Sequence, residues 1–197
     1  MKINKKELYS LIKFFVDSNP DNLPIIIAID GRSASGKTTF ANRFLDDCGF
    51  YVIHTDDFYR PKNSQGELEI SEFDGNFDIK RFKIEVVDNL KNETFCYGVF
   101  DCTSQKIIKV VSVSNPKCII IEGAYSHNPN LSEYADLKIF FDIGTEQQKE
   151  RIIKRNGKES FDAFFNLWIQ AEERYICHYK INETSDYIVM EENNGNV

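Results

Sequence analysis

One segment constrains this chain more than any other: Gly31-Arg32-Ser33-Ala34-Ser35-Gly36-Lys37-Thr38, followed by Thr39. The spacing Gly-x4-Gly-Lys-Thr is that of a phosphate-binding loop, or P-loop. It directly follows an apolar run, Pro24-Ile25-Ile26-Ile27-Ala28-Ile29-Asp30, and directly precedes a helical pattern from Thr38 to Asp47. Each residue type has a physical reason. Glycines let the backbone fold tightly and turn its N–H groups inward. A helix N-terminus adds positive potential. Lys37 has the reach for β- and γ-phosphates, and Thr38 offers a hydroxyl to Mg²⁺. Gly31, Ser33, Ala34, Ser35, Gly36, Lys37, Thr38 and Thr39 are therefore the expected nucleotide cradle. A tight strand–helix turn with a chance Lys-Thr is the competing reading, and the agreement of pattern with context outweighs it.

Composition narrows the class. The chain has 197 residues, 42% of them apolar, enough for one packed domain. Its formal net charge of −7 argues against a general nucleic-acid binder. No run approaches the roughly 18 to 20 apolar residues that span a bilayer, and the start Met1-Lys2-Ile3-Asn4-Lys5-Lys6-Glu7 lacks a signal-type apolar core. A cytoplasmic protein without a membrane partner is expected. The five cysteines are scattered and form no CxxC pair, so a zinc site or disulfide framework is not expected.

Periodicity predicts a helix over 5–17, with Leu8, Leu11, Ile12, Phe15 and Val16 at helical spacing, broken by Asn19-Pro20-Asp21-Asn22. Buried strands are expected at 24–30, 51–54, 118–123 and 137–142, and a last one at 187–190 before an acidic, polar tail. Helices are expected at 78–90, 146–156 and 160–179. Two strands, 94–100 and 106–113, flank Asp101-Cys102-Thr103-Ser104-Gln105 as a hairpin. The alternation implies an α/β, three-layer P-loop NTPase fold with a mostly parallel sheet and a small β-hairpin insertion. The chain is read as a single domain, 1–197, with an N-terminal helix at 5–18 and an insertion at about 60–115.

Carboxylates stand where an open α/β sheet places ligands, beyond the carboxyl ends of strands. Asp56 and Asp57 follow the strand 51–54, and either suits a base that takes a proton from an attacking hydroxyl. Glu122 ends Cys118-Ile119-Ile120-Ile121 and is placed to bind Mg²⁺. No Asn-Lys-x-Asp guanine-reading motif follows, which turns the reading from switch GTPases toward kinases.

These motifs carry a resemblance. Ile29-Asp30-Gly31 through Thr39, His54-Thr55-Asp56-Asp57-Phe58-Tyr59, Asn76-Phe77-Asp78, Phe100-Asp101-Cys102-Thr103-Ser104-Gln105, Ile121-Glu122-Gly123 and Asp142 to Arg155 together resemble the uridine kinase-like branch of P-loop kinases. That branch includes phosphoribulokinases and nicotinamide riboside kinases, and the likeness spans roughly residues 24–190. It implies that Asp56 is the catalytic base, that Asp78 holds ribose hydroxyls, and that Asp57, Tyr59, Phe100 and Gln105 lie on the acceptor side. On the residues alone, Asp78 reads equally as a helix N-cap. Many uridine–cytidine kinases carry Tyr and His at the places of Phe100 and Gln105, so the base read here differs or is absent. Arg151 and Arg155 share one helical face. The resemblance implies that they belong to a short helical lid, about 151–160, that closes over ATP phosphates, with a solvated basic face as the alternative. It also implies that the insertion at about 60–115 is acceptor-binding.

Glu172-Glu173-Arg174-Tyr175 reads as a surface salt-bridge pattern, Trp168 with Phe161, Phe164 and Phe165 as core, and His54 as a structural strand-end residue. The expected activity is transfer of the γ-phosphate of ATP, with Mg²⁺, to a small-molecule hydroxyl, first the ribose 5′-hydroxyl of uridine or a related nucleoside. Nicotinamide riboside or another small alcohol is the alternative acceptor. A regulatory ATP-binding protein that phosphorylates nothing is the alternative of another class. Homo-oligomerisation is left open.

Overall fold

The run Ile25–Gly31 is buried at every position, and it forms the central strand of the sheet. In chain order the elements are β1 (Lys2–Ile3), α1 (Lys5–Asp17), β2 (Ile25–Gly31), α2 (Lys37–Cys48), β3 (Tyr51–His54), α3 (Ile79–Glu85), β4 (Thr94–Asp101), β5 (Lys106–Ser114), β6 (Cys118–Glu122), β7 (Leu137–Asp142), α4 (Thr145–Asn156), α5 (Phe161–Phe164), α6 (Gln170–Tyr179), α7 (Ile181–Thr184) and β8 (Tyr187–Met190). A computed structural model describes residues 1–19, 23–159 and 161–190. Six strands lie in the order β1-β8-β7-β2-β6-β3, every adjacent pair parallel. The hairpin β4–β5 forms a separate antiparallel ribbon.

Strand alternation divides the core into two layers. Ile25, Ile27 and Ile29 of β2, with Ile120 of β6 and Phe141 of β7, pack against Leu8, Ile12 and Val16 of α1 and Phe40 and Phe44 of α2. The other face sets Ile26, Ile119, Ile121 and Phe140 against Phe82 of α3, Tyr97 of β4 and Tyr175 and Ile176 of α6. Sheet and flanking layers give the expected three-layer α/β architecture. Among the described residues no helix is long and apolar enough to cross a membrane.

Local caps explain the boundaries. Asn4 starts α1 by accepting from the Glu7 N–H at 2.9 Å. Gly49, at φ 66°, ends α2 in the left-handed region. The break expected at Pro20-Asp21-Asn22 lies outside the described residues, as do Ser160 and the tail 191–197. Two expectations are corrected, and one element was not expected at all. The helix predicted over 78–90 covers only 79–85, because Asp78 caps it and Val86 (φ −118°, ψ −67°) breaks it before a 3₁₀ turn at 87–89. The helix predicted over 160–179 is interrupted by a π-helical turn, Phe165–Ile169. The pairing of Lys2–Ile3 with β8 has no counterpart in the sequence reading, since two residues are too few to show a period.

Candidate active site

The phosphate loop leaves β2 at Gly31, where φ is 135° and a Cβ would lie 2.0 Å from the Phe141 carbonyl oxygen. No other residue fits there without moving β7. The loop turns through Ala34 (φ 63°) and enters α2 at Gly36 (φ 93°). Lys37 is buried, and its Nζ donates to the Gly31 and Arg32 carbonyls at 2.6 and 3.0 Å. Thr38 Oγ1 donates to Glu122 Oε2 at 3.2 Å.

Glu122 is 3% exposed, and its second oxygen lies 2.5 Å from His54 Nδ1. The register explains this contact: His54 of β3 is the cross-strand partner of Glu122 of β6. The carboxylate raises the His54 pKa, against the opposing effect of burial. His54, read as a strand-end residue, is thus the partner of the predicted metal-binding acid. Gly123 follows at φ 131°, where a Cβ would strike Thr55 Oγ1 at 2.0 Å.

A cleft of about 720 Å³ opens over the loop, within the usual size for small-ligand sites. It brings together Ser33, Ala34, Gly36, Lys37, Thr38, Thr39, Asp56, Tyr59, Glu122, Arg151 and Arg155 of the predicted set. Ser35 is buried beneath the loop. Arg151 donates to the Ala34 carbonyl at 3.1 Å, and the Arg155 guanidinium lies 5.4 Å from the Phe164 ring centre. Asp56 is exposed to the cleft and accepts from the Tyr59 hydroxyl at 2.7 Å. Its neighbour Asp57 does not line the cleft, and burial raises its pKa.

Asp78, Phe100 and Gln105 do not line the cleft either. Asp78 Oδ1 caps α3, accepting from the Arg81 N–H at 3.0 Å. Phe100 is 8% exposed, beside a bulge in β4. Gln105, at φ 57°, accepts from the Lys62 N–H at 2.7 Å and donates to the Cys102 carbonyl at 2.5 Å. Arg81 binds the Gly98 carbonyl of β4 at 2.9 Å and also the Asp57 carbonyl, so hairpin and Asp56–Tyr59 turn are tied together.

Two expectations are overturned. The 172–175 segment is not a surface salt-bridge pattern. Glu172 is 3% exposed and accepts from Ser33 N–H and hydroxyl at 2.9 and 3.1 Å. Glu173 binds Arg32, which also pairs with Asp142. The Tyr175 hydroxyl donates to buried Asp30 at 2.7 Å. Nor is Trp168 core: the π-helical turn aims it into the cleft, stacked on Tyr59 with ring centres 5.5 Å apart, as such turns often do at functional sites. Phe161 and Phe164 are half-buried and Phe165 is exposed. Gly123, Ala124, Tyr125, Phe164, Trp168 and Glu172 are the cleft residues that sequence reasoning missed. A carboxylate on the same helical face as Tyr175 was the available signal.

Among the described residues no group of three or more His, Cys, Asp or Glu side chains forms a metal cage. Mg²⁺ needs none: it is commonly held by one or two carboxylates together with substrate phosphates. A hydroxyl and a carboxylate at hydrogen-bond distance beside the loop are a donor set of that kind.

No protein-family model matches the chain. A uridine kinase of Ureaplasma parvum serovar 3 is 29% identical over 159 residues, covering 74% of this chain and 76% of that one. A uridine kinase of Limosilactobacillus reuteri is 26% identical over 183 residues, covering 83% and 80%. A solved structure described as a possible uridine kinase from Bacillus stearothermophilus superposes with a TM-score of 0.66 at 20% identity, covering 93% of this chain and 99% of that one. In sequence the chain is similar to these uridine kinases, and its fold matches that of the solved structure.

Proposed function

We propose that this protein transfers the γ-phosphoryl group of ATP to a hydroxyl of a small molecule, first the ribose 5′-hydroxyl of uridine or a related nucleoside. One observation carries the reading: a single cleft gathers Lys37 and the phosphate loop, the Thr38–Glu122 pair, Asp56, and the cations Arg151 and Arg155. The uridine kinases similar to this chain support the choice of acceptor.

In this reading the loop N–H groups and Lys37 bind the phosphates, and Arg151 and Arg155 face them from α4. Asp56 takes the proton of the acceptor hydroxyl as its oxygen bonds to the γ-phosphorus. The bond from that phosphorus to the β–γ bridging oxygen breaks, and ADP leaves with the electron pair. Tyr59 orients Asp56 through its hydrogen bond. Thr38 and Glu122, with Asp56 nearby, would hold Mg²⁺. When bound, Mg²⁺ supplies charge neutralisation at the phosphates. The acceptor side is proposed to centre on Tyr59, with Trp168 stacked on it, and to be framed by Asp57, Asp78, Phe100 and Gln105. The region 151–160 is proposed as the lid.

A second reading has its own observation. Both functional groups of the Gln105 amide are engaged with backbone, which fixes its orientation and leaves one lone pair and one N–H for a base edge. An amide fixed in this way is equally compatible with a non-uridine acceptor, such as nicotinamide riboside or a sugar alcohol. Measuring ATP consumption with nucleosides, nicotinamide riboside and small sugar alcohols separates the readings. Turnover stimulated most by a pyrimidine nucleoside supports the first. Slow ATP hydrolysis unchanged by every acceptor would sink both and leave a regulatory nucleotide-binding protein.

A further inference from the structure

Helix α6 is fastened to the phosphate loop by three side chains within four residues. Tyr175 holds Asp30, Glu173 holds Arg32, and Glu172 holds Ser33. Two of these contacts are structural: Glu173 grips the Arg32 guanidinium through both carboxylate oxygens at 2.6 and 2.9 Å, and the Tyr175–Asp30 bond is buried. Glu172 is different, because its carboxylate enters the cleft itself. There it accepts from a phosphate-loop N–H and a phosphate-loop hydroxyl, which is how such a loop holds an anion.

Nucleotide phosphate entering this cleft meets a second anion beside Ser33. The Glu173 and Tyr175 contacts, both further along α6, hold the helix against the loop, so the Glu172 backbone stays beside Ser33. Charge relief must then come in place. Groups facing Glu172 are Lys37 from α2, Asp30 from β2, Tyr59 from the turn after β3, and Tyr125 from the segment after β6. Lys37, the cation of this set, favours the charged form, whereas burial and Asp30 oppose it.

We propose that Glu172 is a positioning residue of the phosphate site that holds Ser33 as a carboxylate and takes up a solvent proton when nucleotide phosphate enters beside it. The protonated acid keeps one oxygen on the Ser33 N–H and turns its O–H toward the phosphate, so a competing anion becomes a hydrogen-bond donor. Burial raises the acid to about 7, so this proton is accessible near neutrality. The proposal rests on the phosphate-loop reading.

Calorimetric titration of ATP with Mg²⁺, in buffers of different ionisation enthalpy, tests it at pH 8. The wild type is expected to take up most of one proton per nucleotide bound, and Glu172→Gln none. At matched pH the nucleotide's own titration cancels. The ratio of wild-type to Glu172→Gln Kd should be near one at pH 6 and rise to about thirtyfold at pH 8.5, as expected for a group titrating near 7. Binding without proton uptake, or equal uptake in the variant, overturns the proposal. Should the variant not fold, selective ¹³C labelling of glutamate carboxyls in the wild type reads the same event. A Glu172 resonance that remains ionised in the complex overturns it. Absence of ATP binding in the wild type would instead sink the phosphate-loop reading.

Discussion

The Tyr59 hydroxyl donates to Asp56 at 2.7 Å in the cleft, while Asp57, one residue on, lies outside the cleft lining. Adjacent aspartates on a 3₁₀ turn point in different directions, and this separates their roles. Asp56→Asn is expected to lower kcat about 10² to 10⁴-fold, the usual contribution of a general base, with little change in ATP affinity. Asp57→Asn should have a much smaller effect. Steady-state kinetics on both variants decide it, and a more damaging Asp57→Asn would exchange the assignments.

Lys37→Ala should abolish detectable transfer while leaving the fold intact. A phosphate contact that strengthens in the transition state is worth on the order of 3 kcal/mol or more, more than a hundredfold in rate. Circular dichroism and a thermal melt establish folding. Near-wild-type kcat in a folded variant would remove Lys37 from the mechanism.

Asp78 caps α3, and α3 presents Arg81 to both β4 and the Asp57 carbonyl. Asp78→Ala should therefore lower stability by about 1 kcal/mol, the usual loss for a missing cap. It should raise the acceptor KM and leave the ATP KM unchanged. Asp78→Asn still caps, so it isolates the ligand contact. A raised acceptor KM in the Asn variant at wild-type stability supports contact with acceptor hydroxyls. An unchanged KM reduces Asp78 to a cap.

Glu172 also ties stability to pH. Its folded acid is raised from 4.5 to about 7, with burial the main cause. Below the unfolded value both states are protonated. As pH rises from about 4.5 to 7 the unfolded chain ionises first, so this group's contribution to stability falls, then levels off. The loss amounts to at most on the order of 3 kcal/mol. Urea unfolding at pH 5 and pH 7.5 should show Glu172→Gln gaining on the wild type as pH rises. A wild-type–variant difference independent of pH would contradict the raised acid.

The parts of the site that were legible in the sequence are those whose chemistry is local. Gly31 and Gly36 are demanded by backbone conformation within a few residues, Lys37 and Thr38 follow by spacing, and Glu122 and Asp56 stand at or just beyond the ends of apolar runs of strand length. A mostly parallel sheet was legible for the same reason, since β2, β6 and β7 read as continuous apolar segments and are largely buried. Tertiary structure alone decided which groups meet across the chain. Glu172 reaches Ser33, 139 residues away, because α6 packs its Tyr175 face against β2. His54 reaches Glu122 through the β3–β6 register, and a π-helical turn rather than any change of composition swings Trp168 toward Tyr59. Hydrophobic periodicity shows which face of a helix is buried but not what lies opposite. A buried carboxylate therefore reads as a surface charge until the loop that donates to it is placed beside it.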